Sequence, residues 1–291
     1  MQQLRIKQVD AFTTKPFGGN PAGVITEADS LSIDMMQEIS GSMNLSETAY
    51  VSMPDGPDAL YRVRFFTPES EVDLSGHSMI AVTWALVEEG RVPLSPGVTR
   101  VAIETNVGLM PVDIHFTPAD LFDRNDFDPE RMVDVRTEQA EGVLDRIMIL
   151  QPVRAWRGSD VPVAEIAAIL GIEESEITRT GLPLEIVSTG LDQLMVPIAH
   201  KETVLSMHPD LIKLALMNKR YGIHTNHIFS LDAWHDDRVS YARHFAPVVG
   251  LWEDPATGTA AAGLGTYLLR HGAITVGSMI MEQGNDADSL A

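Results

Sequence analysis

Arg64-Phe65-Phe66-Thr67-Pro68, followed by Ser75-Gly76-His77-Ser78 and an apolar run, decides how this chain is read. The pattern returns as Arg243-His244-Phe245-Ala246-Pro247, followed by Thr257-Gly258-Thr259-Ala260 and a second apolar run. From the Arg to the Gly is 12 residues in the first copy and 15 in the second. Two copies about 180 residues apart predict two related halves that face each other. Each half would aim a Gly-started helix at a shared cleft. The first amides of a helix have no acceptor within it, so such starts favour anions. The expected ligand is a small carboxylate held from both sides.

Outward from these copies, hydrophobic spacing predicts the remaining elements. In the first half, strands are expected at 5–12, 22–26, 48–53 and 61–67, and helices at 32–43 and 77–89. A hairpin is expected around Thr105-Asn106-Val107-Gly108. In the second half, helices are expected at 163–170, 210–221 and 259–271, and strands at 184–188, 194–198, 223–231 and 239–245. Strands outnumber helices and each half carries its main helix late, an α+β pattern rather than βαβ alternation. The expected domains are an N-terminal half at 1–116, an acidic linker or insertion at 117–143, and a C-terminal half at 144–291.

Composition narrows the function. A chain of 291 residues that is 44% hydrophobic and 21% charged can bury two ordinary cores. A formal net charge of −20 argues against nucleic-acid or anionic-membrane partners. The chain has no Cys, which removes disulfides, thiol nucleophiles and thiolate metal sites. Its start has no apolar signal region, so a cytoplasmic protein is expected.

Three groups of residues are candidates for chemistry. Gly76 and Gly258 would let a carboxylate approach bare amides, with His77 and Thr259 adding donors; alternatively they only make tight turns. Glu47, in Asn44-Leu45-Ser46-Glu47-Thr48, leads into an apolar strand, where burial would raise its pKa and suit it to carry protons. The alternative is a capping box between Asn44 and Glu47. Asp254, between Glu253 and Pro255, is either a substrate hydrogen-bond acceptor or a turn residue. His224 and His227 are three apart on an expected strand and point to opposite faces, which argues against a metal pair. No metal or organic cofactor is expected.

Taken together, these residues resemble the phenazine-biosynthesis PhzF-like family, which shares the diaminopimelate epimerase fold. The resemblance runs in order through Val9-Asp10-Ala11-Phe12 with Phe17-Gly18-Gly19-Asn20-Pro21, then Met43-Asn44-Leu45-Ser46-Glu47-Thr48. It continues through Phe66-Thr67-Pro68 with Gly76-His77, Glu104-Thr105 with Gly108, and Phe245-Ala246-Pro247 with Glu253-Asp254-Pro255-Ala256-Thr257-Gly258-Thr259-Ala260. It implies two halves, each a mostly antiparallel sheet curled around a central helix, with an active site between them. The family's proton-carrying glutamate falls on Glu47, its Gly-His pair on Gly76 and His77, and its Asp and Gly-Ser positions on Asp254, Gly258 and Thr259.

In epimerase relatives a Cys precedes each of these glycines; here the places fall on Ser75 and Thr257. Alcohols are too weakly acidic to exchange protons at pH 7, so two-thiol racemisation is not available. One carboxylate can still move a proton between two carbons on one face. The implied function is a cofactor-independent isomerase of a small cyclic or unsaturated carboxylic acid, acting as a homodimer. Glu47, His77 and Asp254 would be catalytic, and Ser75, Gly76, Ser78, Thr257, Gly258 and Thr259 would bind substrate. A carboxylate-binding or interaction protein on the same scaffold, or a hydro-lyase, are the alternatives. By the resemblance, further strands would follow Glu282-Gln283-Gly284, so the C-terminal half is expected to be short of its last strands.

Overall fold

Strand β1 (Lys7–Ala11) turns back antiparallel into β2 (Asn20–Ile25) through a loop whose tightest point is Gly19. Gly19 has a φ of +58°, and a Cβ there would lie 2.0 Å from the Ala11 carbonyl oxygen, so the turn requires glycine. Helix α1 (Ile33–Met43) starts at Ser32, whose side chain accepts from the Met35 amide, and stops at Asn44 in the left-handed conformation. The chain then enters β3 (Glu47–Ser52), parallel to β2, and β4 (Tyr61–Phe66), antiparallel to β3. A short β5 (Glu71–Val72) pairs with β4 and leads into α2 (Gly76–Glu88). The hairpin of β6 (Gly97–Thr105) and β7 (Gly108–Pro118) follows, then β8 (Val133–Arg136) and β9 (Glu141–Ile149).

The computed structural model describes residues 4–15, 17–129, 131–151, 155–275 and 277–285. Residues 1–3 of the start, where no apolar signal region is expected, lie outside the described residues. The nine strands form one sheet in the order β1-β2-β3-β4-β6-β7-β9-β8, with β5 on β4. Helix α2 packs on β1, β2 and β3 at one end of that order and on β8 and β9 at the other. One helix reaches both ends because the sheet curls around it. Ten of its 13 residues are buried, including Met79, Val82 and Leu86, as a helix enclosed on nearly all sides requires.

Residues 117–143 do not form a separate linker. Strand β7 runs on to Pro118, and β8 and β9 extend the same sheet, with Val135 and Leu144 buried against its core. The acidic residues between them are mostly exposed, which is why composition alone read as a linker. The chain divides instead after Leu150, into units Met1–Leu150 and Gln151–Ala291. Residues 144–149, expected to open the second half, close the first sheet.

The second unit opens with β10 (Ala155–Gly158), α3 (Val163–Leu170) and the short α4 (Glu174–Thr178). Strands β11 (Glu185–Ser188) and β12 (Asp192–Ile198) follow, then α5 (Lys201–Ser206) and α6 (Leu211–Tyr221). Strands β13 (Thr225–Ser230), β14 (Ser240–Ala246) and β15 (Leu251–Asp254) precede α7 (Gly258–Arg270) and β16 (Met281–Gln283). The sheet order is β10-β11-β12-β13-β14-β15, with β16 on β14. One face packs on α3–α6 through Ile186, Leu194, Ile228 and Phe245; the other packs on α7 through Val187, Met195, Phe229 and Ala242. Every residue of β13 and β14 is therefore buried. Both units are α+β, as the sequence implied.

Candidate active site

Glu47 is the first residue of β3, placed there by the left-handed stop of α1 at Asn44. Asn44 caps the end of a helix rather than the start of one, so the capping-box alternative does not apply. Parallel pairing sets Glu47 opposite Ala22, next to the Asn20-Pro21 end of β2. Ser46 Oγ donates to Asn20 Oδ1 at 3.4 Å across the same junction.

His77 is the second residue of α2, and its Nε2 lies 3.2 Å from Glu47 Oε2. The His77 side chain is 8% exposed and that of Glu47 19%, and Glu47 Oε2, the oxygen that faces the ring, is buried. Burial pushes the His77 pKa down to about 4, which keeps the ring neutral at pH 7. Ser75 Oγ donates to Ser78 Oγ at 2.9 Å, and each hydroxyl lies 3.4 Å from a different ring nitrogen of His77. The two serines hold the ring in place. Ser75 is extended (φ −132°, ψ 121°) and its side chain does not cap α2. The opening amides at Gly76 and His77 are thus not used by their own N-cap.

The other predicted residues gather in the second unit. Asp254 ends β15 and is buried, and Thr257 Oγ1 donates to its Oδ2 at 2.5 Å. Thr257 precedes Gly258 as Ser75 precedes Gly76, again extended and again without a side-chain cap on its helix. Thr259 is held through its carbonyl, which accepts from Thr189 Oγ1 at 3.3 Å and Gln193 Nε2 at 3.4 Å. Sequence reasoning missed Gln283. Its Nε2 donates to the Asp254 carbonyl at 2.7 Å and to Thr257 Oγ1 at 3.0 Å, and its Oε1 accepts from the Thr257 amide at 3.1 Å. Gln283 reaches them because β15 and β16 share one edge of β14. The position equivalent to it by register in the first half is Thr105, one of the residues quoted for the resemblance.

His224 and His227 are separated: His224 Nδ1 accepts from the Asp192 amide, while His227 faces His244. Among the described residues no cluster of three or more His, Asp or Glu side chains is arranged to hold a metal ion. Among the same residues no helix is long and apolar enough to cross a membrane.

A family profile described as phenazine biosynthesis-like protein matches residues 9–289. The chain belongs to that family. An uncharacterised isomerase of Clostridium acetobutylicum is 32% identical over 273 residues, 93% of this chain and 81% of the relative. The trans-2,3-dihydro-3-hydroxyanthranilate isomerase of Pseudomonas aeruginosa is 28% identical over 277 residues, 94% and 82% of the two chains. Among solved structures, a PhzF-family phenazine biosynthesis protein of Bacillus anthracis matches with a TM-score of 0.81 at 26% identity, covering 100% and 89%. A probable proline racemase of Agrobacterium radiobacter matches in fold alone, with a TM-score of 0.59 at 14% identity and coverage of 96% and 81%.

Proposed function

We propose that this chain is an isomerase that moves one proton within a small cyclic or unsaturated carboxylic acid, with Glu47 as the single acid and base. The observation that carries the reading is the 3.2 Å contact between Glu47 and a buried, neutral His77 at the opening of α2. A neutral imidazole has one N–H, so Nε2 can donate to an ionised Glu47 or, as the other tautomer, accept from a protonated one. Both protonation states of Glu47 are therefore served without placing a charge on the ring. The proton leaves one substrate carbon for Glu47 and returns from Glu47 to another carbon, so the step balances with no external acid or base.

The substrate carboxylate is assigned to the opening amides of α2, whose partial positive charge complements it. Asp254, held by Thr257 and Gln283, is assigned to a substrate amine or hydroxyl. The relatives named as isomerases support the reaction class.

The test uses trans-2,3-dihydro-3-hydroxyanthranilate as the probe, in deuterated solvent, with NMR readout of carbon-bound deuterium. Wild-type protein should isomerise it with incorporation of solvent deuterium, and Glu47→Gln should slow this by about 10²–10⁴-fold. Undiminished exchange in the variant would remove Glu47 from the mechanism.

A further inference from the structure

His227 on β13 and His244 on β14 are directly opposed in the sheet, and their Nδ1 atoms lie 3.3 Å apart. On the next strand, Asp254 is the register partner of His244. Side chains opposed across paired strands share a face. Met195, His227, His244 and Asp254 thus form one row across four strands, on the face that α7 covers. The row continues to Glu185 on β11, the register partner of Met195, whose carboxylate is held by His271 and Arg270, while Phe229 and Ala242 in the same layer pack on Leu264 and Tyr267. Both histidines are 2% exposed.

The first unit shows what the fold alone requires at these positions. Phe66 and Phe245 are equivalent in the repeated motif, and register then equates Phe65 with His244 and Ala49 with His227. Phe65 pairs onward with Val72, as His244 pairs with Asp254. The same row in the first unit is therefore Ala49, Phe65 and Val72, wholly apolar. Two imidazoles and a carboxylate replace it where Asp254 meets the start of α7. Burying such groups costs stability relative to an apolar row, so packing does not account for them.

The chemistry of the pair is restrictive. Burial holds both rings neutral: His227 is pushed down to about 3, and His244 well below its ordinary value. A neutral imidazole carries one N–H. An Nδ1-to-Nδ1 hydrogen bond therefore forces opposite tautomers, one ring protonated on Nδ1 and the other on Nε2.

We propose that His244 and His227 are positioning residues for Asp254: His244 orients the carboxylate beside Thr257, and His227 fixes the tautomer of His244. This rests on the assignment of Asp254 to substrate made above, but its decisive test needs no substrate.

Protein labelled with ¹⁵N-histidine is compared as wild type, Asp254→Asn and His227→Phe by long-range ¹H–¹⁵N spectra at pH 7. Wild type should show two neutral rings of opposite tautomer, neither resembling a free imidazole. Asp254→Asn, which keeps the shape and removes the charge, should change the tautomer populations of both rings. His227→Phe should release His244 into a mixture of tautomers. Spectra of the two rings that are identical in wild type and Asp254→Asn would overturn the proposal, as would a charged ring at pH 7.

Turnover of the probe gives a second reading. His244→Phe should raise KM about tenfold with kcat within about twofold, as Asp254→Asn does, and adding it to Asp254→Asn should cost nothing more. Additive losses would mark a structural role and also overturn the proposal. His244→Gln, which retains a donor and an acceptor, should recover part of the loss if His244→Phe folds poorly. Failure of the probe as a substrate bears on the proposed reaction and leaves the spectra decisive.

Discussion

The segments β4-β5-α2 and β14-β15-α7 are built alike and equipped differently. In both, a motif arginine grips a glutamate on the following strand with two parallel bonds: Arg64 to Glu71 at 2.8 and 2.6 Å, Arg243 to Glu253 at 2.7 and 2.9 Å. In both, one edge of the long strand is shared by a short antiparallel strand and a parallel one, β5 with β6 and β15 with β16. In both, an uncapped Gly opens the helix. The equipment then diverges. By register, the second-half counterpart of Glu47 is Thr225, and the counterpart of His77 in the motif is Thr259. The helix start is buried in the first unit, from Ser75 to Ser78, and partly exposed in the second, from Thr257 to Thr259. On the proposed reading, the first unit is the chemical half, carrying the proton on Glu47, and the second is the holding half, with Thr257 and Gln283 arranged around Asp254.

The largest effect should expose that asymmetry. Glu47→Gln should cost about 10²–10⁴-fold in proton exchange with the probe, as the proposed loss of its acid and base group requires. Asp254→Asn should act mainly on KM and on the orientation of the bound probe, and retain measurable exchange. Equal losses of exchange rate from the two variants, measured in parallel, would break the division between a chemical and a holding half.

How much of this could be read from the sequence depended on whether the signal was local. Helix α3 was legible to the residue, and α1, α2, α6 and α7 nearly so, because each has periodic apolar positions and a clear stop such as Gly171 or Gly222. Strands β5, β8, β10, β15 and β16 were not, because they are two to four residues long and exist through pairing with a neighbour rather than through their own pattern. The boundary after Leu150 was missed for a related reason. Strand β9 belongs to the first sheet by its pairing with β7, which no composition shift announces. Of the candidate site, Glu47 stood out by leading into an apolar strand and His77 by the repeat, but their contact had no local signal, since 30 residues separate them. Gln283 and the His227–His244 pair left no local signal, because their contacts span 17 to 29 residues across strands.

The two arginine forks differ in burial and in what else they hold. The Arg243 side chain is 10% exposed and also donates to the carbonyls of Val204, Leu205 and Met207, which ties α5 to β14. The Arg64 side chain is 21% exposed, and Glu71 is additionally held by Asn106. Arg243→Met should cost about 3–5 kcal/mol, because it strands a half-buried carboxylate and three carbonyls. Arg64→Met should cost about 1.5–3 kcal/mol. Urea melts of the two variants check the order, and a larger loss at Arg64 would contradict it.

Buried histidines make the halves differ in acid as well. His77 in the first unit and His227 and His244 in the second are all held below the ordinary value of 6.5. Each depressed group leaves the unfolded chain binding more protons than the folded one as pH falls below about 6.5, so stability declines with falling pH. The loss per histidine is about 1.4 kcal/mol per pH unit, and it continues to about 4 for His77 and about 3 for His227. Between pH 6 and 5 the second unit should therefore weaken about twice as steeply as the first. Single-tryptophan variants keeping Trp84 or Trp234 report on the two cores separately. Equal slopes would mean that the second-unit pair does not stay neutral.

The smallest effect tests whether Thr225 is a relic of the repeat or a working group. Its Oγ1 is buried with no hydrogen-bond partner among the described residues, at the register position where the first unit carries Glu47. A lone buried hydroxyl costs about 1–3 kcal/mol of desolvation, and valine matches threonine in shape without it. Thr225→Val should raise the urea midpoint by an amount worth about 1 kcal/mol and leave proton exchange with the probe within about twofold. The reverse outcome, a destabilised protein or a large loss of exchange, would place Thr225 among the groups that hold substrate. The holding half would then extend from Asp254 along β13 to the position that the chemical half gives to its base.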